Sequence, residues 1–189
     1  MGMTASVFVA RYRISEQSKV ADIIATVERF GWISLVVFLM SLLPFSDALS
    51  TRLLGSTSYT WVVILGMLLV GTGVVCGAQD GIAQGFEKFS ALGKVKCAVS
   101  LITLGLVVLL ANEYGLTGVL AAILTGELIK YFLLRRIVQR ARIEASIPPV
   151  GSAVSIREML KRFSLPACLV SVGLGFSSWI GMFMLSRQQ

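Results

Sequence analysis

Apolar positions in this chain come in long unbroken runs, not in alternation. Five runs, at about 31–49, 61–85, 97–111, 116–134 and 165–185, approach or reach the roughly 20 residues a helix needs to cross a bilayer. The third is the shortest and borrows from its flank, from Ala91 onward. Ahead of the first run, residues 18–30 place Val20, Ile23, Ile24 and Val27 at helical spacing, opposite Lys19, Asp22, Glu28 and Arg29. That pattern predicts an amphipathic helix lying at a membrane interface and running into the first span, or a solvated extension of that span. The third and fourth runs are joined by a turn of a few residues, Asn112 to Gly115. A long hydrophilic stretch follows the fourth run, broken by Pro148 and Pro149 and read as a linker. Beyond it, Ser155 and Glu158 have capping-box spacing, and Val154 with Met159 can form the hydrophobic staple. Ile156, Met159, Leu160 and Phe163 then repeat on one helical face up to Pro166, which suits the first turn of the fifth run.

The sequence thus predicts an all-α membrane protein with about five transmembrane helices. It divides into an N-terminal segment at 1–30 with its amphipathic helix, four spans at 31–138, a linker at 139–163 and a last helix at 164–189. Composition supports the class: hydrophobic residues make up 56% and charged residues 14%, against about 25% charged in soluble domains. The opening MGMTASVFVARYR has no basic residues before its short apolar run, unlike a cleavable signal peptide. Of the 17 lysines and arginines, all but Arg52 and Arg187 fall on one side of these runs. The positive-inside rule makes that side cytoplasmic, with the N-terminus there and the chain a multi-pass protein of the inner (cytoplasmic) membrane. The net charge of +7 then calls for anionic lipid headgroups, and no nucleic acid is needed to explain it.

Histidine is absent, and Cys76, Cys97 and Cys168 are scattered through apolar segments. Neither a metal centre, a cofactor nor a catalytic residue is expected from that inventory. Gly73, Gly77, Gly81 and Gly85 recur every four residues in the second run. On a helix they stack into a narrow ridge that a neighbouring backbone can approach, a helix-packing device or a hinge. Each would cost a soluble helix roughly 1 kcal/mol, but lipid leaves the backbone no alternative partner. Asp80 and Glu127 each lie eight residues from the basic end of their runs, roughly 12 Å along a helix. Ionisable groups at such depth face protein or water. With Gln79, Gln84 and Lys130 they form a candidate polar patch on a substrate or ion pathway. The alternative is a Glu127–Lys130 pair with Lys130 snorkelling and Asp80 solvated near the interface. Asp80-Gly81 also resembles the DG pair of CDP-alcohol phosphatidyltransferases. Gly77 stands where the preceding aspartate belongs and the downstream aspartates are missing, so two divalent cations could not be held.

Three stretches occur together in a familiar order: Gly85-Phe-Glu-Lys-Phe89 after a glycine-rich helix, the YGLTG turn with Tyr114 and Gly118, and Phe163-Ser-Leu-Pro166. In these the chain resembles the Wzx-like polysaccharide (O-antigen) flippases of the multidrug/oligosaccharidyl-lipid/polysaccharide exporter superfamily. The resemblance implies two pseudo-symmetric lobes of helices around a cavity that opens alternately to each side. On that template the first four runs resemble the third to sixth helices of the first lobe, with residues 5–12 the tail of the second. The fifth run resembles the first helix of the second lobe. A chain with this content is expected to be a fragment of a two-lobed protein, or a truncated product. The implied function is transfer of a lipid-linked oligosaccharide, of the undecaprenyl type, from the cytoplasmic to the outer leaflet. A polysaccharide polymerase or other assembly proteins are the implied partners. A cation-coupled small-molecule exporter and a noncatalytic membrane assembly subunit are the competing readings.

Overall fold

The computed structural model describes residues 2–12 and 17–147, and among these the only regular elements are helices. They are α1 (Gly2–Tyr12), α2 (Gln17–Leu42), α3 (Ser46–Leu54), α4 (Thr60–Gly85) and α5 (Phe89–Glu144), with short 3-10 turns at Leu43–Phe45 and Thr57–Tyr59. Three helical stretches, Lys19–Arg52, Thr57–Gly85 and Phe89–Glu144, are long and apolar enough to cross a membrane. The linker at Pro148-Pro149, the capping box at Ser155 and the fifth apolar run lie outside the described residues.

The 56 residues of α5 would reach roughly 84 Å if straight, nearly three times the hydrocarbon thickness of a bilayer. They are not straight. Gly115 takes φ 57° and ψ −135°, a backbone region that side chains all but forbid, and there the helix doubles back. The folding-back shows in the glycines beyond it. A Cβ added at Gly118 would strike the carbonyl oxygen of Leu110, and one at Gly126 would strike the Thr103 side chain. The two arms, 89–114 and 116–144, are therefore antiparallel neighbours. The turn expected over Asn112 to Gly115 is concentrated in Gly115 alone.

Pairwise contacts set the remaining directions. Glu28 meets Gln79, Gly31 lies beside Val75 and Ala78, and Leu35 reaches Gly71, so α2 and α4 are antiparallel. Helix α4 is antiparallel to the first arm of α5, where Asp80 pairs with Lys96, and parallel to the second, where Lys88 pairs with Glu144. Helix α1 runs parallel to α4. Gly2 sits against the Gly77 carbonyl and Gly81, while Ser6 and Val9 sit against Gly85. Every described lysine and arginine except Arg52 therefore falls in the half of the bundle nearest the α4–α5 turn.

The main buried cluster is in that same half. It joins Ala5 and Val9 of α1, Val20, Ile24 and Val27 of α2, Ile82 and Phe86 around the end of α4, and Leu134 and Val138 of α5. Away from it, large apolar side chains such as Val37, Met40, Val70, Leu101, Val108 and Leu109 are exposed. This is the surface a lipid-facing helix presents, because in lipid an outward leucine carries no penalty. Two Schellman-type ends close the polar half. Lys88 N–H donates to Ala83 O and Glu87 N–H to Gln84 O, and the same pattern recurs from Ile147 to Arg142 and from Ser146 to Ile143. At the other end the Thr60 hydroxyl donates to Asp47 at 2.8 Å, tying α3 to the start of α4.

Several expectations need correction. The apolar run at 31–49 lies within the membrane-length stretch Lys19–Arg52, but it is not one helix: α2 begins at Gln17 and stops at Leu42. Pro44 lacks the N–H that would continue the ladder, and the chain turns through Leu43–Phe45 into α3. Residues 18–30 do run into the first span, as the first turns of α2, but they neither lie on a surface nor extend into solvent: Val20, Ile23, Ile24 and Val27 are packed inside the bundle. Asp22, placed on the polar face by its spacing, is only 7% exposed.

Two substitutions follow from this backbone. Gly115→Ala should cost about 1–3 kcal/mol from backbone strain alone, since nothing lies within 4 Å of the added methyl. Unfolding in mild detergent, followed by helical circular dichroism, would read the loss. Gly81→Leu should destabilise by about 1–3 kcal/mol by forcing α1 off α4. Gly73→Leu, whose Cβ meets open space, should stay within about 0.5 kcal/mol.

Candidate substrate pathway between the arms of α5

The first arm carries Lys96, Ser100 and Thr103 at i, i+4 and i+7, which puts three polar groups on one helical stripe. The facing arm carries Ile123, Gly126, Glu127 and Lys130 at the matching spacing. Doubling back at Gly115 turns these stripes toward each other, and between them lies a cleft of about 510 Å³. Leu104 and Val107 carry its lining on toward the Gly115 end.

Two ion pairs organise the polar end of this cleft. Lys130 Nζ donates to both oxygens of Glu127, at 3.1 and 3.0 Å, across one helical turn. Lys96 Nζ reaches Asp80 Oδ2 on α4 at 2.9 Å. The Asp80 side chain is 16% exposed and that of Lys96 is 45% exposed, so this pair bridges the helix interface and the cleft. Each carboxylate thereby has a cation beside it, which offsets the desolvation of a charge at this depth. Asp80 Oδ1 is buried and has no hydrogen-bond partner among the described residues. Cys76 of α4 places its thiol 3.4 Å from the Glu127 carbonyl oxygen, so three helical segments meet at Glu127.

The residues grouped in sequence do not form one patch. Asp80, Glu127 and Lys130 converge through Lys96. Gln79 turns away from them: it is 2% exposed and donates to Glu28 on α2 at 3.0 Å. Gln84 lies a turn further on, near the end of α4, and does not line the cleft. The picture of Asp80 as a solvated carboxylate is likewise corrected, because Lys96 holds it. The glycines divide too. Gly81 and Gly85 are where the α1 backbone and Val9 come close; Gly77 contributes only its carbonyl oxygen, beside Gly2, and a Cβ at Gly77 or at Gly73 would meet open space.

Sequence reasoning missed Lys96, Ser100 and Thr103. Lys96 lies in the charged flank from which the third run borrows, ahead of its apolar core, so spacing along the run gives it no role. The structure puts it two turns inside α5, which begins at Phe89. The signal was available: continuing the helical period backward from Thr103 through Ser100 arrives at Lys96.

The cleft can offer hydrogen bonds of both senses. Lysine ammonium and hydroxyl groups donate, carboxylates and hydroxyls accept, and an apolar wall lies beside them. Among the described residues there is no group of three His, Cys, Asp or Glu side chains able to hold a metal ion. No family model, no curated protein and no solved structure matches the chain.

The coupling between Asp80 and Lys96 is measurable. A double-mutant cycle with Asp80→Asn and Lys96→Gln, read by unfolding in detergent, should give an interaction energy of about 1–3 kcal/mol. Strict additivity would mean the pair does not hold α4 to α5.

Proposed function

We propose that this chain is part of a multi-pass transporter of the inner membrane, with its N-terminus on the cytoplasmic side. In this reading it moves a lipid-linked oligosaccharide from the cytoplasmic to the outer leaflet. The observation that carries it is the cleft between the arms of α5. It places two lysines, two hydroxyls and Glu127 within a helix set whose outer surface is apolar. A polar, hydroxyl-rich cargo needs such a lining, because its own hydroxyls must exchange water for protein partners as it enters. The concentration of basic residues in one half supports the orientation. The resemblance of Gly85–Phe89, the YGLTG turn and Phe163–Pro166 to polysaccharide flippases supports the cargo.

Translocation requires no covalent bond to be made or broken, so no residue here is assigned a catalytic role. A cation-coupled exporter needs a carboxylate available to a coupling ion. Pairing of Glu127 and Asp80 with lysines weighs against that reading. An apolar assembly subunit would have no use for a polar stripe at this depth.

The test is genetic and chemical. Deleting the gene in its source organism should remove surface polysaccharide and leave lipid-linked oligosaccharide on the inner leaflet. Restoring the wild-type gene should reverse both. Lys96→Gln and Glu127→Gln, at wild-type protein level, should restore export on the order of tenfold less well, equivalent to losing one buried charged hydrogen bond. Normal polysaccharide in the deletion strain would exclude the function, and ion-dependent efflux of small molecules would replace it with the exporter.

A further inference from the structure

A second cleft, of about 560 Å³, lies between α2 and the second arm of α5. Its lining includes Arg29, Trp32 and Ile33 from α2, at i, i+3 and i+4, and Tyr131 and Arg135 from α5, at i and i+4. The Trp32 and Tyr131 rings meet edge to face, 5.8 Å apart and at 86°. Arg29 and Arg135 are exposed, and neither forms an ion pair among the described residues. The one carboxylate in the lining, Glu28, is engaged by the Gln79 amide. Glu28 keeps its charge, but among the described residues neither guanidinium is within ion-pair distance of it, and the two arginines leave the lining of this aromatic-walled cleft net positive. On the α2 side the surface continues through Ile33, 59% exposed, to the exposed Val36, Val37 and Met40.

We propose that this cleft binds the phosphate headgroup of an anionic membrane lipid. Its vertical order is that of such a lipid. Arginines sit in the basic half, an indole lies at the depth where interfacial tryptophans settle, and an aliphatic track leads toward the rest of α2. Guanidinium groups suit a phosphate because their planar fork can donate two hydrogen bonds to one anion. Ile33 and the indole face then take the first methylenes of an acyl chain. The site depends on the chain crossing a bilayer and is independent of which cargo the other cleft carries.

Trp32 is the natural reporter. In the full chain carrying Trp61→Phe and Trp179→Phe, Trp32 is the remaining tryptophan. It is reconstituted in vesicles containing either brominated phosphatidylglycerol in ordinary phosphatidylcholine or the reverse. Half-maximal quenching should need on the order of tenfold less of the brominated anionic lipid than of the brominated zwitterionic one. Adding Arg29→Gln and Arg135→Gln should abolish the preference, while Arg29→Lys with Arg135→Lys should keep part of it. A chain retaining only Trp61, outside the cleft, should be quenched equally by both lipids. Inorganic phosphate in the buffer should not relieve the quenching; if it does, the site takes free phosphate and not lipid. Equal quenching of Trp32 by both lipids, or a preference that survives the glutamine pair, would overturn the proposal. Quenching of Trp61 by neither lipid would remove the membrane-spanning reading and the lipid site with it.

Discussion

A chain this apolar cannot leave backbone groups unpaired in a hydrocarbon medium, and that constraint confines every change of direction to a few residues. Helices satisfy the backbone internally, so the chain stays helical wherever it can. It reverses within α5 at Gly115, whose φ of 57° and ψ of −135° a side chain would resist. It turns after α4 at Glu87, where a Schellman-type pair of hydrogen bonds uses the last carbonyls, and it leaves α2 at Pro44. The rest of the fold depends on where these breaks fall. Moving the Gly115 reversal by one residue would rotate one arm by about 100° and take Glu127 and Lys130 away from Lys96, Ser100 and Thr103.

The molecule is asymmetric from end to end. One half holds the basic residues and the main buried cluster, built where α1, α2, α4 and the second arm of α5 converge. In the other half, exposed valines, leucines and methionine outnumber buried side chains. The first half packs side chain against side chain, whereas in the second large apolar side chains face outward, as helices with lipid for a neighbour can.

Charge inside such a bundle is tolerated by pairing. Asp80 with Lys96 and Glu127 with Lys130 place each carboxylate beside an ammonium group, and the two pairs share one cleft. The arginines at Arg29 and Arg135 differ: they are exposed beside aromatic rings and form no ion pair among the described residues. Internal pairs hold helices together, whereas an unpaired pair of guanidinium groups at the rim is left to an anion from outside.

The helical class, the place of the second apolar run and the one-sided distribution of basic residues were legible in the sequence, since each follows from local spacing and from the length a span requires. The Glu127–Lys130 pair was legible for the same reason, both residues lying on one turn. Other features were decided by tertiary contact. Asp22 looked like a surface residue and is buried, and Gly73 looked like a packing residue although a side chain there would meet nothing among the described residues. Lys96 became a partner of Asp80 because α5 begins at Phe89 and its first arm runs back along α4. Helical periodicity says which residues share a face. Which face meets which depends on one glycine dihedral and the packing around it, and no local pattern records that.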